Sequence, residues 1–302
     1  MGGASGPSAA PLLGKTEGDG VTIDGRTRLA GVIGWPVDHS RSPMLHNHWC
    51  RVHQVNGAYV PLPVKPGQLE MALKGLAAAG FRGVNVTIPH KEEAFRLCDE
   101  LTETARRAGA ANTLRFVEGR VIGDCTDGTG FCDNLLAHGV RLEGRALILG
   151  AGGAARAVAA ALQDRGCEVF ISNRTASRAE ALVQALGGGI VLDWTDWPNR
   201  LGEMNLLVNA TSLGMGGRDD TAWSSLLQKG QEGLSVTDIV YTPRQTPLLK
   251  AAQERGFRTV DGLGMLICQA RAGFQEWFGV LPEADEASFD LLAQDLARHG
   301  LS

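Results

Sequence analysis

The residues in this sequence best suited to chemistry are a glycine-rich turn and a few polar side chains placed where strands run out. Gly150-Ala151-Gly152-Gly153-Ala154-Ala155 fits the spacing G-x-G-x-x-G/A. It directly follows the apolar run Ala146-Leu147-Ile148-Leu149 and directly precedes an alanine-rich helix reaching about Arg165. In such a turn the first glycine permits a tight bend and the second lets backbone approach a pyrophosphate. A small last residue lets the helix pack close to the strand. The free N–H groups and dipole at the helix start favour an anion. A bare strand-to-helix turn that binds nothing has the same glycines, so the weight rests on the strand before and the helix after.

The next strand, Glu168-Val169-Phe170-Ile171-Ser172, bears on which dinucleotide would fit. An NAD site usually ends this strand in an acidic residue that bonds the ribose 2′-hydroxyl. Here the run is Asn173-Arg174-Thr175-Ala176-Ser177-Arg178. Two arginines and two hydroxyls suit a 2′-phosphate through charge-assisted bonds, which favours NADP. Ser177 with Glu180 also reads as a helix capping box, with both arginines solvated.

Three segments could face a substrate. His39-Ser40-Arg41-Ser42-Pro43 reads as a helix start, with Ser42 as N-cap and Pro43 at the first helical position. Two serines beside free helix N–H groups would cradle a carboxylate, although plain capping explains them as well. Gly83-Val84-Asn85-Val86-Thr87-Ile88 reads as a strand that Pro89 stops, leaving Asn85 and Thr87 on one face and Val86 and Ile88 on the other. Polar groups at a strand's carboxyl end are where open α/β sheets hold ligands. Lys91, just beyond, reads equally as a solvated surface lysine. Gly109 to Leu114 and Gly123-Asp124-Cys125-Thr126-Asp127-Gly128 add Asn112 and Asp127, and a turn-forming role explains Asp127 equally well.

The elements that must position these groups alternate along the chain. Leu29 to Gly34, Ala58 to Leu62, Gly83 to Ile88, Leu206 to Asn209 and Val236 to Val240 read as further strands. Leu69, Ala72, Leu73 and Leu76 recur at the spacing of one helix face, with Gly80 as a stop. Alternation of this kind predicts an α/β fold with open, mostly parallel sheets. The chain has 302 residues, a prior for two domains, and a boundary is expected near Gly123–Gly130, where Gly and Asp cluster. Whether the helices from Met265 onward return to the first domain is not readable from periodicity.

Composition excludes several classes. With 33 acidic against 29 basic residues, the net charge of -4 gives no support for nucleic acid as a partner. No apolar run approaches the ~20 residues of a membrane span. The six cysteines form no C-x-x-C pair and stand at no zinc-ligand spacing, so no metal is expected and a reducing cytoplasm suits them. Residues 1–24, rich in Gly, Ser, Ala and Pro, lack the pattern of a secretory signal and read as a disordered leader.

Taken in order, these segments resemble the shikimate dehydrogenase family. The matching pieces are His39 to Pro43, Asn85 to Phe95, Gly109 to Leu114, Thr126-Asp127-Gly128 and Gly150 to Ala154. They continue with Asn173 to Arg178, Asn209-Ala210-Thr211-Ser212, and Asp261-Gly262-Leu263-Gly264-Met265 leading to Gln269. Together they cover about Arg28 to Pro282.

The resemblance implies a substrate-binding catalytic domain from 25–126 plus 263–302 and a Rossmann-like NADP domain at 127–262. It implies that Ser40 and Ser42 hold a substrate carboxylate, and that Thr87, Asn112, Asp127, Tyr241 and Gln269 face the ring hydroxyls. Lys91 and Asp127 match the catalytic pair. Gly150, Ala151, Gly152, Gly153 and Ala154, with Asn173, Arg174, Thr175, Ser177 and Arg178, match cofactor positions, and Ile239 and Gly262 match the nicotinamide lining. Cys125 departs from the pattern, which often has Asn there. The implied reaction is reversible reduction of 3-dehydroshikimate to shikimate, with a small molecule as the only partner and a monomer or homodimer as the assembly. An ordinary lysine titrates near ~10.4 and can donate the proton the product oxygen needs. Rival readings are a quinate/shikimate dehydrogenase using NAD, an aminoshikimate dehydrogenase, or a non-catalytic nucleotide-binding regulator on the same fold.

Overall fold

The computed structural model describes residues 23–217 and 219–301. The leader expected over 1–24 lies outside the described residues apart from its last two. The first half runs β1 (Arg28–Gly34), α1 (Ser42–Val52), β2 (Gly57–Pro63), α2 (Leu69–Ala78), β3 (Gly83–Val86), α3 (Lys91–Leu97), β4 (Glu100–Leu101), α4 (Glu103–Ala108), β5 (Thr113–Val117) and β6 (Arg120–Asp124). Then come α5 (Asp127–Ala137), β7 (Arg145–Leu149), α6 (Gly153–Asp164), β8 (Glu168–Ser172), α7 (Ala176–Leu186), β9 (Ile190–Leu192) and α8 (Trp197–Arg200). The chain continues through β10 (Leu206–Asn209), α9 (Trp223–Leu226), β11 (Ser235–Asp238), α10 (Pro247–Glu254), β12 (Arg258–Val260), α11 (Leu263–Phe278) and α12 (Glu286–Arg298).

Two six-stranded sheets result. The first has the order β2-β1-β3-β5-β6-β4, in which β5 alone runs antiparallel to its neighbours. The second, β12-β11-β10-β7-β8-β9, is parallel throughout. Strands covered on both faces must be apolar on both, and alternation then sorts side chains between two cores. In the second sheet Ile148, Ile171 and Val208 join the core beneath α5 and α6, while Leu147, Leu149, Phe170 and Leu207 join the opposite one with Trp197 and Trp223.

In the first sheet Val84 and Val86 pack with Leu69 and Leu73, and Ala30 and Val32 pack with Leu45, Trp49, Phe274 and Trp277. The last two come from α11, so the C-terminal helices lie on the first sheet, against β1, β3, β5 and α1. Three local readings need correction. β3 ends at Val86, and Ile88, expected on its apolar face, is exposed because the chain turns at Pro89. The N-cap of α1 is Arg41, without a side-chain cap bond, and Ser42 is the first helical residue. Thr175, not Ser177, caps α7, so the Ser177–Glu180 box does not form.

One buried group sets a pH dependence. His46 of α1 is fully buried and stacked on Tyr59 at 4.0 Å between ring centroids, with neither ring nitrogen hydrogen-bonded. Burial disfavours its cation and lowers its pKa from 6.5 to about 3. The unfolded chain therefore takes up a proton that the folded protein refuses. Stability is intact above pH 6.5 and falls as pH drops from there toward 3. Between pH 6.5 and 5 this amounts to about 2 kcal/mol. Urea unfolding of the wild type and His46→Phe at both pH values checks it. The wild type should lose about 1–2 kcal/mol more than the variant, and equal losses would show that His46 is not responsible.

Candidate active site

Ligands of open α/β sheets bind outside the carboxyl ends of strands, where neighbouring connections leave in opposite directions. In the first sheet that point lies between β1 and β3. Ser40 and Ser42 follow β1, and Thr87 and Lys91 follow β3. In the second sheet it lies between β7, which leads into the glycine turn, and β10, which leads into Asn209-Ala210-Thr211.

Lys91 is the first residue of α3, behind the buried His90, whose Nε2 bonds the Val64 carbonyl at 2.7 Å. Asp127 is the first residue of α5, where a helix N-terminus favours a carboxylate. The Lys91 ammonium donates to Asp127 Oδ2, and the two side chains are only 15% and 5% exposed. The other oxygen, Oδ1, accepts from Asn112 Nδ2 at 2.8 Å. Asn112 is itself fixed, since its Oδ1 accepts from the Thr126 backbone at 2.8 Å and its Nδ2 lies 3.0 Å from Gln269 Oε1. Gln269 reaches this cluster because α11 crosses α5 at Gly130, where a Cβ would stand 2.5 Å from the Gln269 nitrogen. The crossing demands glycine.

The glycine turn forms the facing wall. Gly150 has φ +112°, a conformation only glycine adopts easily, and a Cβ there would meet the Ala210 carbonyl at 2.8 Å. Gly152 caps α6 without a side-chain bond and has open space above it. A Cβ on Gly153 would lie 3.3 Å from Lys91 Cβ, so the turn rests against the lysine stem. Arg156 of α6 also pairs with Glu92 of α3 at 3.8 Å. Gly262 sits against Ile239, whose carbonyl would be 2.6 Å from a Cβ.

The remaining expected residues fall into two places. Ser42 N donates to Ser40 Oγ at 3.4 Å, and the Tyr241 phenol, its pKa raised chiefly by burial, lies near Arg41 beside them. The Thr87 methyl lies against Gly34. Arg174, Thr175, Ser177 and Arg178 form an exposed tip after β8, with Asn173 Nδ2 bonding the Thr175 carbonyl at 2.9 Å. Among the described residues neither arginine has an ion pair. Open glycine backbone at a helix start and two unpaired guanidinium groups beyond the next strand fit a phosphorylated dinucleotide. Cys125 points into an apolar cluster with Ala105, Ala108, Ala110 and Ala157, where burial pushes its thiol pKa up. The departure at this position leaves the Asn112–Asp127 contact intact.

Sequence reasoning missed a second polar layer. Tyr59 donates to Asn85 Oδ1 at 2.6 Å, and Asn85 Nδ2 donates to the Asn112 carbonyl and to Thr113 Oγ1 at 3.1 Å each. The available signal was Asn85 inside an otherwise apolar strand, a buried amide that must find partners.

Counted along the chain, the second sheet has the order 3-2-1-4-5-6 with its glycine turn at the reversal, which makes this half a Rossmann-like dinucleotide-binding domain. Comparison with known proteins narrows that class. Residues 32–114 match the family described as shikimate dehydrogenase substrate binding domain, and residues 137–263 match shikimate / quinate 5-dehydrogenase. The chain belongs to the shikimate dehydrogenase family.

It is 70% identical over 274 residues to shikimate dehydrogenase (NADP(+)) of Gluconobacter oxydans (strain 621H), covering 91% of this chain and 98% of that one. Among solved structures it is similar to shikimate 5-dehydrogenase of Thermus thermophilus in complex with NADP(H) and shikimate. The TM-score is 0.80 and the identity 37%, over 89% of this chain and 99% of that one. It is also similar to quinate dehydrogenase of Corynebacterium glutamicum in complex with NAD. Here the TM-score is 0.79 and the identity 30%, over 89% and 99%.

Proposed function

We propose that this protein catalyses the NADP-dependent, reversible reduction of 3-dehydroshikimate to shikimate, in the route to chorismate and the aromatic amino acids. The observation that carries the reading is the Lys91–Asp127 pair packed against the glycine turn, in a chain of this family. NADP, when bound, supplies the hydride carrier. Gly150 to Ala154 would hold its pyrophosphate, Asn173 to Arg178 its 2′-phosphate, and Ile239 with Gly262 would flank the nicotinamide.

Ser40 and Ser42, at the start of α1, hold the substrate carboxylate. Thr87, Asn112, Tyr241 and Gln269 bond the ring hydroxyls. In the reducing direction the Lys91 ammonium gives a proton to the oxygen that gains charge, while Asp127 fixes the ammonium's position. In the oxidising direction the pair takes the proton back along the same path. We take 25–126 plus 263–302 as the substrate domain and 127–262 as the NADP domain. The return of α11 and α12 to the first half of the chain supports the former, while α5 packs on both α6 and α11. Among the described residues no helix is long and apolar enough to cross a membrane; a cytoplasmic monomer or homodimer completes the reading.

Purified protein mixed with shikimate and either NADP or NAD should produce reduced nicotinamide efficiently with NADP. A preference for NAD with quinate would contradict the assignment, and so would NADP binding without turnover. Lys91→Ala should lower kcat by about 10²–10⁴-fold with KM for shikimate near the wild-type value; near-normal kcat would reject the proton-transfer role. Arg174→Ala should raise KM for NADP by about 10–100-fold while barely moving KM for NAD. Equal effects on both cofactors would remove the 2′-phosphate argument.

A further inference from the structure

Asp238, at the end of β11, is fully buried yet sits outside every role above. Its Oδ2 accepts from Asn209 Nδ2 at 3.0 Å and from Thr246 Oγ1 at 2.8 Å, and its Oδ1 accepts from the Val240 backbone at 2.9 Å. Three donors converge on one acceptor. They oppose the effect of burial, which on balance raises its pKa to about 6.

Two of the donors belong to segments that pack beside the glycine turn and Gly262, and the third anchors the loop that follows Tyr241. Asn209 Oδ1 accepts from the backbone and hydroxyl of Thr211 at 3.1 and 2.6 Å, shaping the loop whose Ala210 carbonyl abuts Gly150. The Asn209 carbonyl accepts from the Ile239 backbone at 3.0 Å. Val240 lies between Ile239, packed on Gly262, and Tyr241, which lies near Arg41 beside the two serines. Thr246 caps α10 and so fixes the far end of the Tyr241 loop.

We infer that Asp238 is a positioning residue: its carboxylate sets the register of the Ile239–Tyr241 segment against the Asn209–Thr211 loop. The nicotinamide wall and the substrate tyrosine thereby stand at fixed distance from the glycine turn. This rests on the NADP and shikimate reading of the cleft. An amide at 238 keeps one accepting oxygen and turns an NH₂ toward a donor, which releases one of the two loops.

The test compares wild type, Asp238→Asn, Thr246→Val and Thr246→Ser in kcat, KM for shikimate, and binding of 2′,5′-ADP. That ligand probes the adenosine half of the cofactor site (the arginine tip and the 5′-phosphate end of the glycine turn) and not the nicotinamide wall. Asp238→Asn should lower kcat by about tenfold or more and raise KM for shikimate, with 2′,5′-ADP affinity held within about twofold. Thr246→Val should show a weaker form of the same split, and Thr246→Ser should restore wild-type behaviour. An active wild type with kcat and KM unchanged in Asp238→Asn overturns the inference alone. Parallel loss of 2′,5′-ADP binding and kcat also overturns it, because a general weakening of the fold then explains both. If Asp238→Asn does not fold, the threonine pair decides, and an unchanged Thr246→Val refutes the role. A wild type that does not turn over shikimate with NADP refutes the functional reading, and this inference with it.

Discussion

The site depends on keeping an ammonium and a carboxylate together where water is largely excluded. Taking two charges out of water costs several kcal/mol per ion, and attraction offsets this only when the geometry is good and the remaining lone pairs are satisfied. Lys91 and Asp127 meet those terms. Asp127 heads a helix, its second oxygen accepts from Asn112, and Asn112 is held by Thr126 and Gln269. The pair is thus held in place by groups that lie far apart along the chain.

Those segments are brought together by close backbone approach. Gly130 lets α11 touch α5, Gly153 lets the glycine turn rest on the lysine stem, and Gly262 lets the segment after β12 meet Ile239. A side chain at any of these positions would widen the gap between elements that must share one cleft. The return of α11 to the first sheet does similar work at larger scale. It carries Gln269 to Asn112 across 157 residues of sequence and fills the core beneath β1 with Phe274 and Trp277.

Much of this was legible in the residues. β8 and β10 fall where the apolar runs placed them, and Gly80 stops α2 with φ +82° as a stop signal should. The glycine turn and the basic tip after β8 were readable because strand, turn and helix are local. Lys91 and Asp127 were not distinguishable from surface or turn residues by spacing, and only the family resemblance singled them out. Helix starts slipped by one or two residues at Ser42 and Ser177, where several polar residues compete for one cap. Ile88 misled because Pro89 ends β3 earlier than alternation suggested. The antiparallel course of β5, the Tyr59–Asn85 layer and the buried Asp238 hub all depend on contacts between distant segments, which periodicity does not encode.

The most direct measurement is a kinetic double-mutant cycle on the pair, using Lys91→Met, Asp127→Asn and both together, with kcat for shikimate oxidation by NADP as the readout. Groups that act as one unit lose nearly everything with the first removal. The account predicts that the double variant is about as slow as the slower single variant. Losses that multiply, each residue contributing independently, would contradict it.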